Sequence, residues 1–272
     1  MKKLINYTPS TATRLFLGLL PFALLLLVYM GASEARLAEN PNDRLLPSLT
    51  QMGDAIERLA MEPSKRTGEL TFWQDTQSSL IRLLSGVAIA ALFGLVLGLL
   101  TGALPVLNAW LAPLLTVISL IPPLAVLPIL FIAIGLGEAS KITLITIGIA
   151  PFIARDIQRS TQQIPTEQLV KAQTLGASTL QILMRVLLPQ IMPRLIDAVR
   201  LSLGAGWLFL IAAEAISSTD GLGYRIFLVR RYMSMDIILP YVMWITLLAF
   251  LFDYLLGLLN RRLHPWSEGT NA

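Results

Sequence analysis

The sequence predicts an all-α integral membrane protein with about six transmembrane helices. Three observations lead there. Of 272 residues, 55% are apolar and only 14% charged, where a soluble domain is nearer a quarter charged. The mean hydropathy is +0.68. The uncharged residues also gather into runs that approach the roughly 20 residues needed to cross about 30 Å of hydrocarbon. This composition excludes a disordered chain and argues against a water-soluble enzyme. With no cysteine and a single His264, there is no disulfide framework, no thiolate nucleophile and no cluster of metal ligands. The net charge of +4 reads as basic cytoplasmic loops rather than a nucleic-acid surface.

The first uncharged run covers residues 15–33, between Arg14 and Glu34. Lys2 and Lys3 ahead of it fit a cleaved leader, but the run is long and starts late. It ends in only a passable cleavage site at Ala32 to Ala35, so an uncleaved helix is expected. Residues 34–75 are polar, punctuated by Pro41, Pro47 and Pro63. They are expected to form an external segment with one short amphipathic helix near 49–59. Residues 83–137 hold two spans. Gly86, Gly94, Gly98 and Gly102 recur on the first, a small-residue face that permits close helix packing. Pro122, Pro123 and Pro128 break the second, as tolerated where backbone faces protein or a cavity. Residues 142–154, 201–213 and 237–252 supply the remaining spans, the last two extending past Glu214 and Asp253.

Lys2, Lys3 and Arg14 place the N-terminus in the cytoplasm, and Arg261 and Arg262 place the C-terminus there. Between them, residues 155–194 carry Arg155, Arg159, Lys171, Arg185 and Arg194 against Asp156 and Glu167, and also fall inside. Arg225, Arg230 and Arg231 fall outside, against the rule.

The inner segment is the most informative. Pro165 and Thr166 can open a helix with Leu169, Ala172 and Leu175 on one face. Gly176 can end it at a C′ position. Ser178 can cap a second helix through Val186, which Pro189 stops or kinks. Glu167 and Lys171, at i and i+4, can form a helix-stabilising pair or meet a partner. Periodicity alone is equally satisfied by an interfacial linker.

The spacing of Ala172, Gly176, Val186, Leu188 and Pro189 resembles the cytoplasmic loop of binding-protein-dependent ABC importer permeases. That loop reads Glu-Ala-Ala, three residues, Gly, nine residues, Ile, one residue, Leu-Pro. Val170 and Lys171 replace its first two positions here. The stretch Leu175-Gly176-Ala177-Ser178 followed by Leu188-Pro189 is similar to the sulfonate/taurine/nitrate branch. So are the run from Arg200 to Trp207, Ala212-Ala213-Glu214, Gly221 to Tyr224, and Arg261 to Trp266. Upstream, Ser79, Arg82 and Gly86, the prolines at 122, 123 and 128, and Gly135 to Glu138 with Lys141 match as well. The likeness runs from about Ser79 to Trp266.

The resemblance implies a type I ABC importer permease-like fold, with residues 1–78 as an N-terminal helix plus periplasmic segment. Residues 79–266 would be the permease domain, with a coupling loop at about 157–190, and 267–272 a tail. It implies a multi-pass protein of the bacterial inner membrane working as a homodimer, with two separate ATP-binding subunits beneath and a periplasmic solute-binding protein above. The solute would be taurine, another sulfonate, nitrate, cyanate or bicarbonate. Glu167, Leu169, Lys171, Ala172, Leu175, Gly176, Ala177, Ser178, Leu188 and Pro189 would couple to the ATPase. Pro122, Pro123, Trp207 and Glu214 are candidates for the pathway or a gate. No catalytic residue, bound cofactor, metal or nucleic-acid partner is expected. The chain has no Gly-x-x-x-x-Gly-Lys-Ser/Thr loop, so ATP-Mg would sit on the partner. Glu214 could instead pair with Arg225 or Arg230. Asp197 is expected to pair with Arg200, itself a candidate partner for Asp253. An ion-coupled secondary transporter is the competing reading.

Overall fold

The computed structural model describes residues 10–40, 43–64 and 68–266. Lys2, Lys3 and the 267–272 tail lie outside them. Among the described residues the regular structure is helical. Helix α1 (Thr11–Glu39) opens at Ser10, whose hydroxyl accepts from the Thr13 N–H. Helix α2 (Leu49–Met61) is the expected amphipathic helix, closed by a capping box between Ser48 and Gln51. It packs beside α3 (Thr71–Ala103) and α11 (Met235–Leu263). Tyr29 and Ser33 of α1 donate to the carbonyls of Pro47 and Leu46, tying the first helix to this outlying segment. Asp43, just before it, accepts from the Leu45 N–H and from Arg36, and these bonds hold its carboxyl below the usual carboxylate range.

The glycine face of α3 decides the architecture. A Cβ at Gly86 would stand 2.8 Å from Ile145, at Gly94 2.6 Å from Ile153, at Gly98 2.5 Å from the Ala154 carbonyl and at Gly102 2.6 Å from Thr161. All these partners lie on α6 (Glu138–Gln162). The two backbones therefore meet along their whole shared length, which only a side-chain-free row allows. Both series of numbers rise together, so α3 and α6 run parallel.

Parallel packing fixes what lies between them. Helices α4 (Pro105–Leu120) and α5 (Pro123–Ile134) meet at a 94° bend. They must carry the chain back from the end of α3 to the start of α6, so the pair is one broken crossing. Pro122 and Pro123 make the break, because Pro restricts the residue before it to extended backbone. Ile121 has ψ 123°.

Four helical stretches meet the length and hydropathy of a span: α1, α3, residues Thr179–Ser217, and α11. The broken pair adds a fifth. Helix α6 is too rich in charge to pass by composition but spans by geometry, being locked along α3, and completes the expected six. Of its charged residues Lys141 is buried, Arg155 and Asp156 are half-buried, and Glu138 and Arg159 lie exposed toward its two ends.

The inner segment forms α7 (Thr166–Thr174), a short α8 (Thr179–Gln181), a π-helical turn (Ile182–Leu187) and α9 (Leu188–Ser217). Helix α10 (Leu222–Arg230) links α9 to α11. Helices α9 and α11 are antiparallel, joined near the loop by Asn260, whose amide donates to the Pro193 carbonyl and the Asp197 carboxylate at 3.1 Å each.

Candidate functional site

The loop end of the bundle is built as the sequence suggests in outline and differs in four details. Gly176 has φ +82°, where only glycine rests easily. Its N–H donates to the Gln173 carbonyl and the Ala177 N–H to the Ala172 carbonyl. Together these form a Schellman motif that ends α7. Ser178 caps α8 through a capping box with Gln181. Thr166, however, is the first helical residue rather than the cap; Pro165 holds that position and offers no side-chain bond. Glu167 and Lys171 form no ion pair, since neither joins any salt bridge among the described residues. On so exposed a helix the pair gains too little to fix two long side chains.

Pro189 neither stops nor ends the helix. The Leu188 N–H reaches back to the Leu183 carbonyl, an i→i−5 bond. This wider π-turn absorbs the proline, which has no N–H to offer. Residues Thr179–Ser217 thus run as one helix.

The expected apolar face of α7 is also split. Leu169 and Ala172 pack against the chain's own core, with Ala177. Leu175 points away and is 80% exposed, alongside exposed Val170, Leu180 and Met184.

At the other end lies a buried charge network. Arg82 donates to Glu214 at 2.8 Å, to Glu138 and to Asp220. Glu214 is fully buried. It also accepts from the Ser79 hydroxyl at 2.8 and 2.9 Å and from the Gly223 N–H at 2.8 Å. Lys141 donates to Glu138 at 2.8 Å. A second knot centres on Asp75, which accepts from Arg225, from Tyr241 at 3.0 Å and from the Gly221 N–H at 2.9 Å. The N–H groups of Gly221, Leu222 and Gly223 at the start of α10 thus donate to Asp75, Ser79 and Glu214, side chains of α3 and α9, at a helix end that favours carboxylates. Gly221, at φ +114°, brings its Cα so close that a Cβ would fall 2.5 Å from the Glu214 carboxylate. These bonds join α3, α6, α9, α10 and α11.

Glu214 therefore pairs with Arg82, not with Arg225 or Arg230, and has no surface to offer a partner. Arg225 is taken by Asp75, and Arg230 lies 5.1 Å from the Phe227 ring. Their positive charges at this end are thereby partly accounted for. Trp207 is buried in the core, and its indole N–H has no partner among the described residues. Arg200 binds Asp253 with two bonds of 3.0 Å and Asp197 at a longer 3.4 Å, so Asp253 is the main partner. Sequence reasoning passed over Asp75, Asp220 and Tyr241; a lone acidic residue at a helix start carries no motif.

Between the two ends, α4, α5, α6 and α9 line a half-open cavity of about 470 Å³ beside the proline break. Pro123 lines it, with Ser119, Arg155, Asp156, Arg159 and Phe209. Pro122 sits at the bend itself.

The bundle thus has a third crossing broken at Pro122 and Pro123, a helical loop at one end and a buried charge network at the other. Residues 72–265 match the family described as the binding-protein-dependent transport system inner membrane component, and the chain belongs to that family. It is 36% identical over 198 residues to the taurine transport system permease protein TauC of Escherichia coli, covering 73% of this chain and 72% of that one. It is 35% identical over 193 residues to the bicarbonate transport system permease protein CmpB of Synechococcus elongatus, covering 70% and 68%. Its fold matches an inward-facing structure of the MetNI methionine ABC transporter with a TM-score of 0.62 at 22% identity, covering 70% of this chain and 95% of that one.

Proposed function

We propose that this chain is the membrane-spanning subunit of an ATP-driven importer for a small polar solute of the sulfonate or bicarbonate class. In this reading two copies form the pore. A separate ATP-binding subunit grips each inner loop, and a solute-binding protein docks at the Arg82 end. The loop end then faces the cytoplasm, along with both termini. The observation that carries the reading is the exposed apolar tip at Leu175 and Leu180, set on a helix end whose direction Gly176 fixes. Water-exposed leucines on a rigid helical stub are what a groove on a partner takes up. Leu169 and Ala172 hold the stub to the bundle instead of contacting the partner.

Ion-coupled transport receives less support. It calls for mid-membrane acids free to titrate, whereas Glu214, Asp75 and Asp253 are each engaged by an arginine.

The test is Gly176→Leu in the assembled importer. Transport and solute-stimulated ATP hydrolysis are expected to fall together while membrane insertion persists. Normal transport by that variant removes the loop from the coupling path. Gradient-driven uptake without any ATP-binding subunit overturns the reading altogether.

A further inference from the structure

We infer that the cavity beside the proline break is an oxyanion subsite on the solute path, with Arg155 as its principal ligand and Arg159 as a second cation. The inference rests on the transport reading above and adds the residues and the chemistry of one station along the path.

Three guanidinium groups of the bundle are engaged by carboxylates, while among the described residues Arg194 has only the Ser160 hydroxyl at 3.3 Å. Arg82 has Glu138, Glu214 and Asp220; Arg200 has Asp253 and Asp197; Arg225 has Asp75. Arg155 differs. Its one bond among the described residues runs from Nη1 to the Ser119 hydroxyl at 2.8 Å, and it joins no salt bridge. Ser119 in turn donates to the Thr116 carbonyl at 2.8 Å, so its hydroxyl is oriented to accept from Arg155. The serine therefore positions the guanidinium without neutralising it. Among the described residues the Nε and Nη2 groups have no protein acceptor. Arg155 is half-buried, and a guanidinium held by a neutral hydroxyl with no carboxylate partner is free to take up an oxyanion.

Arg159 follows one helical turn later on α6 and lines the same cavity, also without an ion pair. Residues at i and i+4 share a helix face. Asp156 is the one carboxylate in the lining, so the cluster keeps a net positive charge. The fork geometry of arginine matches planar or tetrahedral oxyanions with two parallel bonds. The volume of about 470 Å³ lies within the range of about 300–1,000 Å³ for small-ligand sites. The arginines stand in the last turns of α6, on the loop side of the break. The subsite is thus placed beyond the bend from the Arg82 network, as a station before release.

A phosphate headgroup from a lipid carries the same chemistry as a soluble sulfonate, and the experiment separates them. The chain has no cysteine, so Phe152→Cys, whose parent side chain lines the cavity, serves as a single thiol reporter. The full-length protein, in complex with its ATP-binding subunits in liposomes, is labelled with a small maleimide. Methanesulfonate and taurine at millimolar concentration are the probes, compared with neutral liposomes and liposomes containing phosphatidylglycerol. At least fivefold slower labelling in the presence of either sulfonate is expected, in neutral lipid as well as anionic. Adding Arg155→Gln should abolish the protection, while Arg155→Lys should keep part of it. Labelling that ignores the sulfonates, or protection that survives Arg155→Gln, overturns the subsite. Protection that follows phosphatidylglycerol and not the soluble probes also overturns it, assigning the cavity to lipid. None of these readouts needs ATP-driven uptake. Failure of the importer reading would appear separately, as absent ATP-driven uptake by the unaltered protein.

Discussion

Arg82 and Glu214 stand 132 positions apart in the chain and 2.8 Å apart in the fold, with Glu214 wholly out of contact with solvent. A guanidinium on α3 and a carboxylate on α9 thus form the centre of a knot that also draws in Glu138 and Asp220. Removing one member of a buried charge set leaves the others unpaired, and that penalty is larger than the worth of the pair itself.

Arg82→Met is therefore expected to destabilise the protein by about 3–5 kcal/mol, because three carboxylates lose their common partner. Arg200→Met is expected to cost no more than about 1 kcal/mol, since its pair with Asp253 is partly exposed and such pairs contribute little. Thermal unfolding of the two variants in one detergent measures the difference. Equal losses would show that the Arg82 knot is not special.

The α3–α6 contact gives a second prediction. Gly98→Ala places a methyl 2.5 Å from the Ala154 carbonyl, which cannot yield without moving backbone. Overpacking of this kind costs roughly 1–3 kcal/mol. Gly204→Ala meets nothing within 4 Å and is expected to change stability by less than about 0.5 kcal/mol. The pair of alanine variants, expressed and melted side by side, tests whether the glycine row sets the packing.

These two features differ in how far the sequence revealed them. The glycine row was legible as a small-residue face, because its spacing on one helix is itself the signal. Its partner was not, since nothing in the sequence of α6 says that Ile145, Ile153 and Thr161 will face it. The loop motif was legible down to Gly176 and Ser178, whose local backbone roles need no tertiary context. Pro189 was legible as a residue that stops or kinks a helix, and only the π-turn upstream shows how the helix continues through it. Glu214 stood out as an intramembrane charge, yet its partner lies on a distant helix, and the nearer Arg225 and Arg230 drew attention away from it. Arg155 registered only as one more basic residue of an inner loop until the fold placed Ser119 beside it.

Leu175 yields a third prediction. Its side chain makes no use of the chain's own core, so Leu175→Ser should leave the melting temperature within about 2 °C, as a surface change of under 0.5 kcal/mol does in a protein of this size. Solute-stimulated ATP hydrolysis should fall at least fivefold. Leu169→Ser, at a position packed on the bundle, should lower both.

Topology supplies a fourth. Single cysteines at Leu175 and Met61, both strongly exposed, should react with membrane-impermeant maleimide from opposite faces of the membrane. The one at Leu175 is expected to label only in inverted vesicles. Labelling of both from the same face would contradict the six-crossing arrangement.

The π-turn at Ile182–Leu187 has a mechanical consequence. Had Pro189 severed the helix, the loop would hang from the bundle as a loose tether, and a tug on it would die out at the joint. Because the turn instead carries Thr179 to Ser217 through as one continuous helix of 39 residues, the two tips belong to a single element. Glu214 lies near that far end, within the knot around Arg82.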